Sequence, residues 1–364
     1  MIYGRASEGR YKMILNEILH DAILKGASDI FIIAGIPVTY KVKGAQDRTD
    51  SGIMKPDAIN AVVEEIYETA HRSKAQLENH NDDDFSFSIR DLGRFRVNVF
   101  RQRGTLAAVI RVIKFGVPDP ASLGIPESVL SLADNKTGLV LVTGAAGSGK
   151  STTLACMIDR INRSREAHII TMEDPLEYLH SHNKSIVSQR EIFIDTPGYL
   201  DSLRSALRES PDVILLGEMR DFDTISAAIT AAETGVLLFS TLHTSSAANT
   251  INRIVDVFPA NQQVQVRGQL AQLIKGVVCQ QLVTSTNGHL IPVFEVMKST
   301  PAIHNMIREG KLHQLESAMQ AASADGMITM DTSLLNLYQR GEITKDTLLT
   351  SCNNFEFMIK KVGA

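Results

Sequence analysis

A chain of 364 residues is long enough for about two domains, each able to bury its own core. Thirty-seven basic residues stand against 41 acidic ones, a net charge of −4, which excludes a general electrostatic attraction to nucleic acid or anionic lipid. No apolar run approaches the roughly 18 residues of a membrane-spanning helix, and Met1-Ile2-Tyr3-Gly4-Arg5 carries no signal-peptide core, so no direct membrane insertion is expected. The three cysteines, Cys156, Cys279 and Cys352, are far apart and form no C-x-x-C, as expected of reduced, mostly buried thiols in a cytoplasmic protein.

In chain order, residues 11–24 place Ile14, Leu15, Ile18, Leu19, Ala22 and Ile23 on one helical face, with Gly26 as a C-cap. Strands are expected over 28–33 and 38–42 around the turn Gly35-Ile36-Pro37. A second amphipathic helix carries Ile59, Val62, Val63, Ile66 and Tyr67. Asp82-Asp83-Asp84 reads as a solvated turn. A hairpin follows: Phe85, Phe87 and Ile89 alternate with polar residues, Asp91-Leu92-Gly93 turns, and Phe95, Val97 and Val99 alternate with Arg94, Arg96 and Asn98. Period two puts those aromatics on the face opposite the arginines, so the basic hairpin is core and not a nucleic-acid surface. With a further strand over 106–113, residues 1–113 read as a small α+β domain.

Residues 114–126, with Gly116, Pro118, Pro120, Gly124 and Pro126, read as an interdomain linker that permits relative domain motion. Residues 127–364 then form a second domain of α/β class. It opens on a buried strand, Gly138-Leu139-Val140-Leu141-Val142-Thr143, followed by Gly144-Ala145-Ala146-Gly147-Ser148-Gly149-Lys150-Ser151. This fits G-x-x-x-x-G-K-[ST], the loop that cradles a nucleoside triphosphate. Leu154, Met157, Ile158 and Ile161 continue it as a helix. Glycines let backbone N–H groups close on phosphate oxygens, and the helix N-terminus adds positive potential. Gly144, Gly147, Ser148, Gly149, Lys150, Ser151 and Thr152 are therefore the expected ATP-binding set. Lys150 is expected to reach the β/γ-phosphates, and the Ser151 hydroxyl to hold Mg²⁺.

Beyond the loop, strands are expected over 168–172, 186–188, 213–216 and 236–240, alternating with helices as in a mostly parallel sheet, and helices dominate the end of the chain. Thr300-Pro301 starts one of these helices, Gly310 stops it, and Ile303, Met306 and Ile307 form its apolar stripe. Three strand ends carry chemistry. Val213–Leu216 leads to Gly217-Glu218, which would bring a catalytic acid near Mg²⁺ and the attacking water. Glu173-Asp174-Pro175-Leu176-Glu177 clusters carboxylates at another strand's carboxyl end, where ligands bind in such sheets. Ser240-Thr241-Leu242-His243-Thr244 ends a third with a histidine and hydroxyls. Glu218, Glu173 and His243 are the catalytic candidates. His180 and His182 lack a paired ligand motif. Ile192–Gly198 contains D-x-x-G but no downstream N-K-x-D, and so reads as an Asp-Pro-Gly turn and not a GTPase switch.

Four stretches together resemble the type II secretion and type IV pilus ATPases: the phosphate loop, Glu173–Glu177, Pro211–Asp221, and Ala231–Gly235 leading to Thr241–Thr244. Gly26-Ala27-Ser28-Asp29, Pro301-Ala302-Ile303-His304-Asn305-Met306-Ile307-Arg308-Glu309-Gly310 and Gly326–Asp331 narrow it to the pilus retraction ATPases, the PilT family. The resemblance implies a PAS-like N-terminal domain, a RecA-like ATPase domain and a homohexameric ring. It implies Glu218 as catalytic acid, His243 in a histidine box, and Arg103, Arg111 and Arg253 as phosphate-sensing arginines. It further implies a cytoplasmic motor that drives pilus retraction, and so twitching motility, through an inner-membrane platform protein. The alternatives are an assembly or secretion ATPase of the same superfamily, or a nucleotide-regulated adaptor that does not hydrolyse. Three positions depart from the family pattern: Ala145-Ala146 for Pro-Thr, Val236 for the first histidine of the box, and His304 for the first arginine of the C-terminal motif.

Overall fold

The structure, a computed structural model, describes residues 5–113 and 116–363, with side chains from Leu15 onward. Met1–Arg5 aside from Arg5, the side chain of Ile14, and the linker's Lys114 and Phe115 thus lie outside the described residues. The chain divides into two compact units, Met1–Phe115 and Gly116–Ala364.

The first unit begins with α1 (Arg5–Leu24), β1 (Ala27–Ile32), β2 (Thr39–Val42) and β3 (Ala45–Arg48). Then come α2 (Pro56–Thr69), α3 (Ala75–His80), β4 (Asp82–Ile89), β5 (Gly93–Gln102) and β6 (Thr105–Ile113). The strands form one antiparallel sheet in the order β3-β2-β1-β6-β5-β4. The apolar stripes of α1 and α2 (Leu15, Leu19, Ile59, Val62) close on the alternating inward residues Phe85, Phe95, Val97 and Val99. Completely burying a side chain such as Phe95 contributes about 1.5–3 kcal/mol. The acidic run is not a solvated turn: it opens β4, and Asp83 is buried. Its carboxylate accepts from Arg72 Nε (2.9 Å) and Nη2 (2.7 Å) and from the Tyr67 hydroxyl (2.9 Å). Three donors compensate the loss of water, which the run of like charges in the sequence hides.

Residues 116–126 are also corrected. Val117 and Leu123 pack against the core of the second unit and Ile125 is buried in it, so this proline-rich stretch is an ordered edge of that unit. Prolines stiffen a segment whether it spans a gap or lies on a surface, and the apolar residues between them decide for the surface here.

The second unit follows with α4 (Glu127–Leu130), β7 (Gly138–Thr143), α5 (Lys150–Ser164), β8 (His168–Glu173), β9 (Ile186–Glu191), α6 (Tyr199–Ala206), β10 (Val213–Leu216), α7 (Phe222–Glu233), β11 (Leu237–Leu242), α8 (Ala247–Asp256) and α9 (Gln263–Leu273). A hairpin comes next, β12 (Ile274–Thr284) and β13 (Leu290–Lys298), then α10 (Pro301–Glu309), α11 (Leu315–Ala321), α12 (Met330–Gln339), α13 (Lys345–Ser351) and α14 (Phe355–Val362). The sheet order is β13-β12-β7-β11-β10-β8-β9, parallel except for β13. Its central strands are buried along their whole length, as a sheet covered on both faces requires. Helices do dominate the end of the chain, but the expectation did not include this hairpin. Gln280, Gln281 and Gly276 interrupt the apolar pattern of β12, whereas Asn287-Gly288 is a hairpin signal left unread. Thr300 caps α10, accepting from Ile303 N (3.3 Å), and Gly310 ends it in the left-handed region at φ 70°.

Candidate active site

The parallel strands bring their carboxyl ends to one edge. Thr143 is level with Leu242 on the neighbouring strand, and Leu216 with both Ser240 and Met172. The next residues along, Gly144, His243, Gly217-Glu218 and Glu173, therefore emerge side by side, the place where open α/β sheets bind ligands.

Gly144 and Gly149 take φ values of 142° and 90°. A Cβ on Gly144 would lie 2.1 Å from the carbonyl oxygen of Gln280, so no other residue fits there without moving β12. Lys150 Nζ donates to the loop's own carbonyls, Gly144 O (2.9 Å) and Ala145 O (2.8 Å), and burial lowers its pKa. The Ser148 hydroxyl is buried without a protein partner. An ammonium turned onto weak acceptors and an unsatisfied buried hydroxyl, at the N-terminus of a 15-residue helix, fit an anionic ligand. Thr152 is held differently: its hydroxyl shares a 2.8 Å hydrogen bond with the hydroxyl of Tyr178.

A cleft of about 250 Å³ opens beside the loop and joins Lys150 and Ser151 to Glu173, Glu218 and His243. Glu218 Oε2 lies 2.6 Å from Arg220 Nε and 3.6 Å from His243 Nε2. Gly217, which stands where many ATPases place an aspartate, is accounted for by space. A Cβ there would lie 2.9 Å from the Tyr199 hydroxyl and 3.0 Å from Met172 O. The strand end is pinned by Gly217 N donating to Met172 O (2.8 Å) and Thr241 Oγ1 donating to Gly217 O (2.6 Å). Only the residue after it is free to project an acid into the cleft.

Burial pushes the Glu173 carboxyl up to about 7, with the charges of Glu177 and Glu191 adding to the effect. A folded-state pKa above the unfolded value means that the native protein binds the extra proton. Stability is then greatest below the unfolded pKa of about 4.5 and falls as pH rises towards 7. Glu173→Gln should therefore stabilise the nucleotide-free protein by on the order of 1 kcal/mol at pH 8 and by little at pH 5. Melting curves of both proteins at the two pH values check this, and an equal difference at both would refute it.

The remaining candidates are distributed over both units. Arg253, exposed on α8, lines a second cavity of about 390 Å³ together with Glu218, His243 and Thr241. Arg103 sits in the β5–β6 turn at φ 49°, and Arg111 lies on β6 with Nε 3.1 Å from Asp29 Oδ1. Arg103 thus precedes β6 and Arg111 lies near its far end, within the first unit. His180 donates its backbone N–H to Gln189 Oε1 (2.8 Å) and His182 Nδ1 accepts from Val187 N (3.1 Å), both supporting the loop beside β9. Asp195 Oδ2 accepts from Glu191 N (2.8 Å), making the 192–198 segment the expected turn. Sequence reasoning assigned no role to Arg220, Tyr178, Tyr199 or Gln280. Arg220 was findable, two residues beyond Glu218, and Tyr178 directly follows Glu177, but Tyr199 and Gln280 come from distant segments with no motif of their own.

On the other side of the α5 N-terminus lies a larger cavity of about 950 Å³, walled by Leu123, Gly149, Thr152, Leu282, Pro292 and Phe294. Residues 149–152 thus separate two openings, a polar cleft with the acids and a broader, more apolar one.

The family model described as type II/IV secretion system protein matches residues 5–354. Among curated relatives, the type IV pilus retractation ATPase PilT of Pseudomonas aeruginosa is 43% identical over 334 residues, 92% of this chain and 96% of the relative. A twitching motility protein of Neisseria gonorrhoeae is 41% identical over 342 residues, 94% of this chain and 91% of the relative. Among solved structures, the pilus retraction motor PilT with bound ADP superposes with a TM-score of 0.85 at 44% identity, covering 94% of this chain and 98% of that one. The Legionella pneumophila ATPase DotB gives a TM-score of 0.74 at 27% identity, covering 93% and 94%.

Proposed function

From the premise that this chain belongs to the type II/IV secretion family, and within it to the PilT-type pilus retraction ATPases, we propose that it hydrolyses ATP to drive type IV pilus retraction. The observation that carries the chemistry is Glu218, projected from a pinned strand end into the same cleft as Lys150 and Ser151. The triphosphate lies across the α5 N-terminus, with its nucleoside in the 950 Å³ cavity and its γ-phosphate in the cleft. Lys150 turns from the loop carbonyls to the phosphates, and Ser151 is the residue that would hold Mg²⁺. The ion, when bound, neutralises charge on the transferring phosphoryl group. Glu218 orients the attacking water and takes its proton, and His243 steadies the Glu218 carboxylate. Glu173, at the wall of the same cleft, is the second catalytic carboxyl group.

The working form is a homohexameric ring of two-domain chains, with residues 1–113 as the N-terminal domain and Arg103, Arg111 and Arg253 as its phosphate-sensing arginines. It acts in the cytoplasm against an inner-membrane platform protein. Among the described residues no helix is long and apolar enough to cross a membrane. Deleting the gene and counting surface pili tests the direction of work. More pili without motility is the expected result, and bald cells would assign the chain to pilus assembly.

The α10 helix separates motor from coupling. Ile303 and Ile307 are buried, while Asn305, Arg308 and Glu309 are exposed. Alanine at both Arg308 and Glu309 should cost little stability, because solvent-exposed charges contribute little. ATP turnover should persist while retraction fails in cells. Equal loss of both activities would mark the face as structural.

A further inference from the structure

We propose that Gln280, on β12, is a positioning residue that holds the phosphate loop in its phosphate-receiving form. Cys279 is level with Thr143 on the adjacent strand β7, so Gln280 arrives beside the first glycine of the loop. It meets the loop at three points. Its carbonyl oxygen occupies the space a Cβ on Gly144 would need. Its Nε2 lies 2.9 Å from where a Cβ on Gly149 would sit, immediately before Lys150. Its Oε1 accepts a 2.7 Å hydrogen bond from Thr153 Oγ1, and both residues are buried, at 4% and 0% exposure.

A polar side chain following Val277, Val278 and Cys279 in a buried strand requires a partner, and Gln280 finds it on another element. The bond ties the first turn of α5 to β12, so the helix N-terminus cannot slide along the sheet. The first and last glycines of the loop, Gly144 and Gly149, are then fixed relative to one another by one residue, 131 positions beyond Gly149 in the chain. Backbone N–H groups bind phosphate only when they converge, and a wedge spanning Gly144 and Gly149 sets that convergence. The inference rests on the reading of this loop as the ATP site.

The test measures ADP affinity with a fluorescent ADP analogue, well below the melting temperature of every variant. Gln280→Met keeps length and apolar bulk but removes the amide and leaves the Thr153 hydroxyl buried and unpaired. Affinity should fall about tenfold. Thr153→Val should give a similar loss, and Thr153→Ser, which restores the hydroxyl, a smaller one. The double variant Gln280→Met, Thr153→Val should bind no worse than the weaker single, since the two act through one bond. A lowered melting temperature with wild-type ADP affinity would reduce Gln280 to a structural role and overturn the proposal. Losses that multiply to about a hundredfold in the double variant would overturn the pairing. If Gln280→Met does not fold, the two Thr153 variants decide alone, and equal affinities for Val and Ser count against it. Lys150→Ala separates the underlying reading: loss of ADP in that variant with retention in Gln280→Met sinks only the proposal. A wild-type protein that binds no ADP sinks both.

Discussion

Glu218→Gln is expected to bind ADP as the wild type does and to hydrolyse ATP more slowly by on the order of 10²-fold or more, the scale of a general base. Gln keeps the size of the side chain and can still accept from Arg220, now 2.6 Å from the carboxylate. What it loses is the charge that draws a proton from water. Stability should hardly change, because the Arg220 side chain is 73% exposed and such pairs contribute about 0–1 kcal/mol. The loss therefore appears in kcat and not in nucleotide affinity, the mark of an interaction made only during reaction. Turnover and ADP affinity measured on the same preparation give the answer. Near-normal turnover would move the catalytic acid elsewhere, and Glu173, whose pKa of about 7 suits proton transfer at neutral pH, would be the next residue to replace.

Much of this site was legible in the sequence because its parts are local. Gly144–Ser151 carries its chemistry in contiguous backbone, and Glu173, Glu218 and His243 each follow an apolar run that can only be a buried strand in this class of sheet. Parallel pairing does the rest, since strands in register must release their carboxyl ends together. The residues that went unread act across the fold. Gln280 touches Gly144, Gly149 and Thr153 only because β12 lies beside β7, a neighbour relation no spacing rule contains. Asp83 sat in a run of three acids that composition alone assigns to solvent, yet its burial is decided by Tyr67 on α2 and Arg72 in the turn after it. The stretch from Val117 to Pro126 has a linker's glycines and prolines, and only Val117, Leu123 and Ile125 among them reveal that it packs. The Gly217 departure also became intelligible only with Tyr199 in place, two elements away.

Arg253→Ala is the sharpest test of how the site senses phosphate. Arg253 lies on α8, an amphipathic helix whose Thr250, Ile251, Ile254 and Val255 are buried and whose Arg253 faces out into the cavity shared with Glu218 and His243. The helix is anchored at its start: Ala247 N donates to the buried carboxylate of Glu295 (2.7 Å), and Thr250 Oγ1 lies 2.7 Å from Thr244 Oγ1 in the loop after His243. Arg253 is thus an exposed side chain on a fixed base, as a group meeting developing charge requires. A guanidinium that reaches the transferring phosphoryl group contributes roughly 10³–10⁵ in rate, so turnover should fall by about 10³-fold or more while ADP affinity stays near wild type. Arg253→Lys should recover little, because a point charge lacks the planar fork. Folding should be unaffected, since no hydrogen bond or apolar contact of the helix depends on an outward arginine. Mixing Arg253→Ala chains with Glu218→Gln chains then locates the arginine. If Arg253 serves the Glu218 of its own chain, the mixture stays inactive at every ratio. If it serves a neighbour in a ring, some sites regain both groups and activity returns. Wild-type turnover in Arg253→Ala itself would return the residue to solvent and leave phosphate sensing to Arg103 and Arg111.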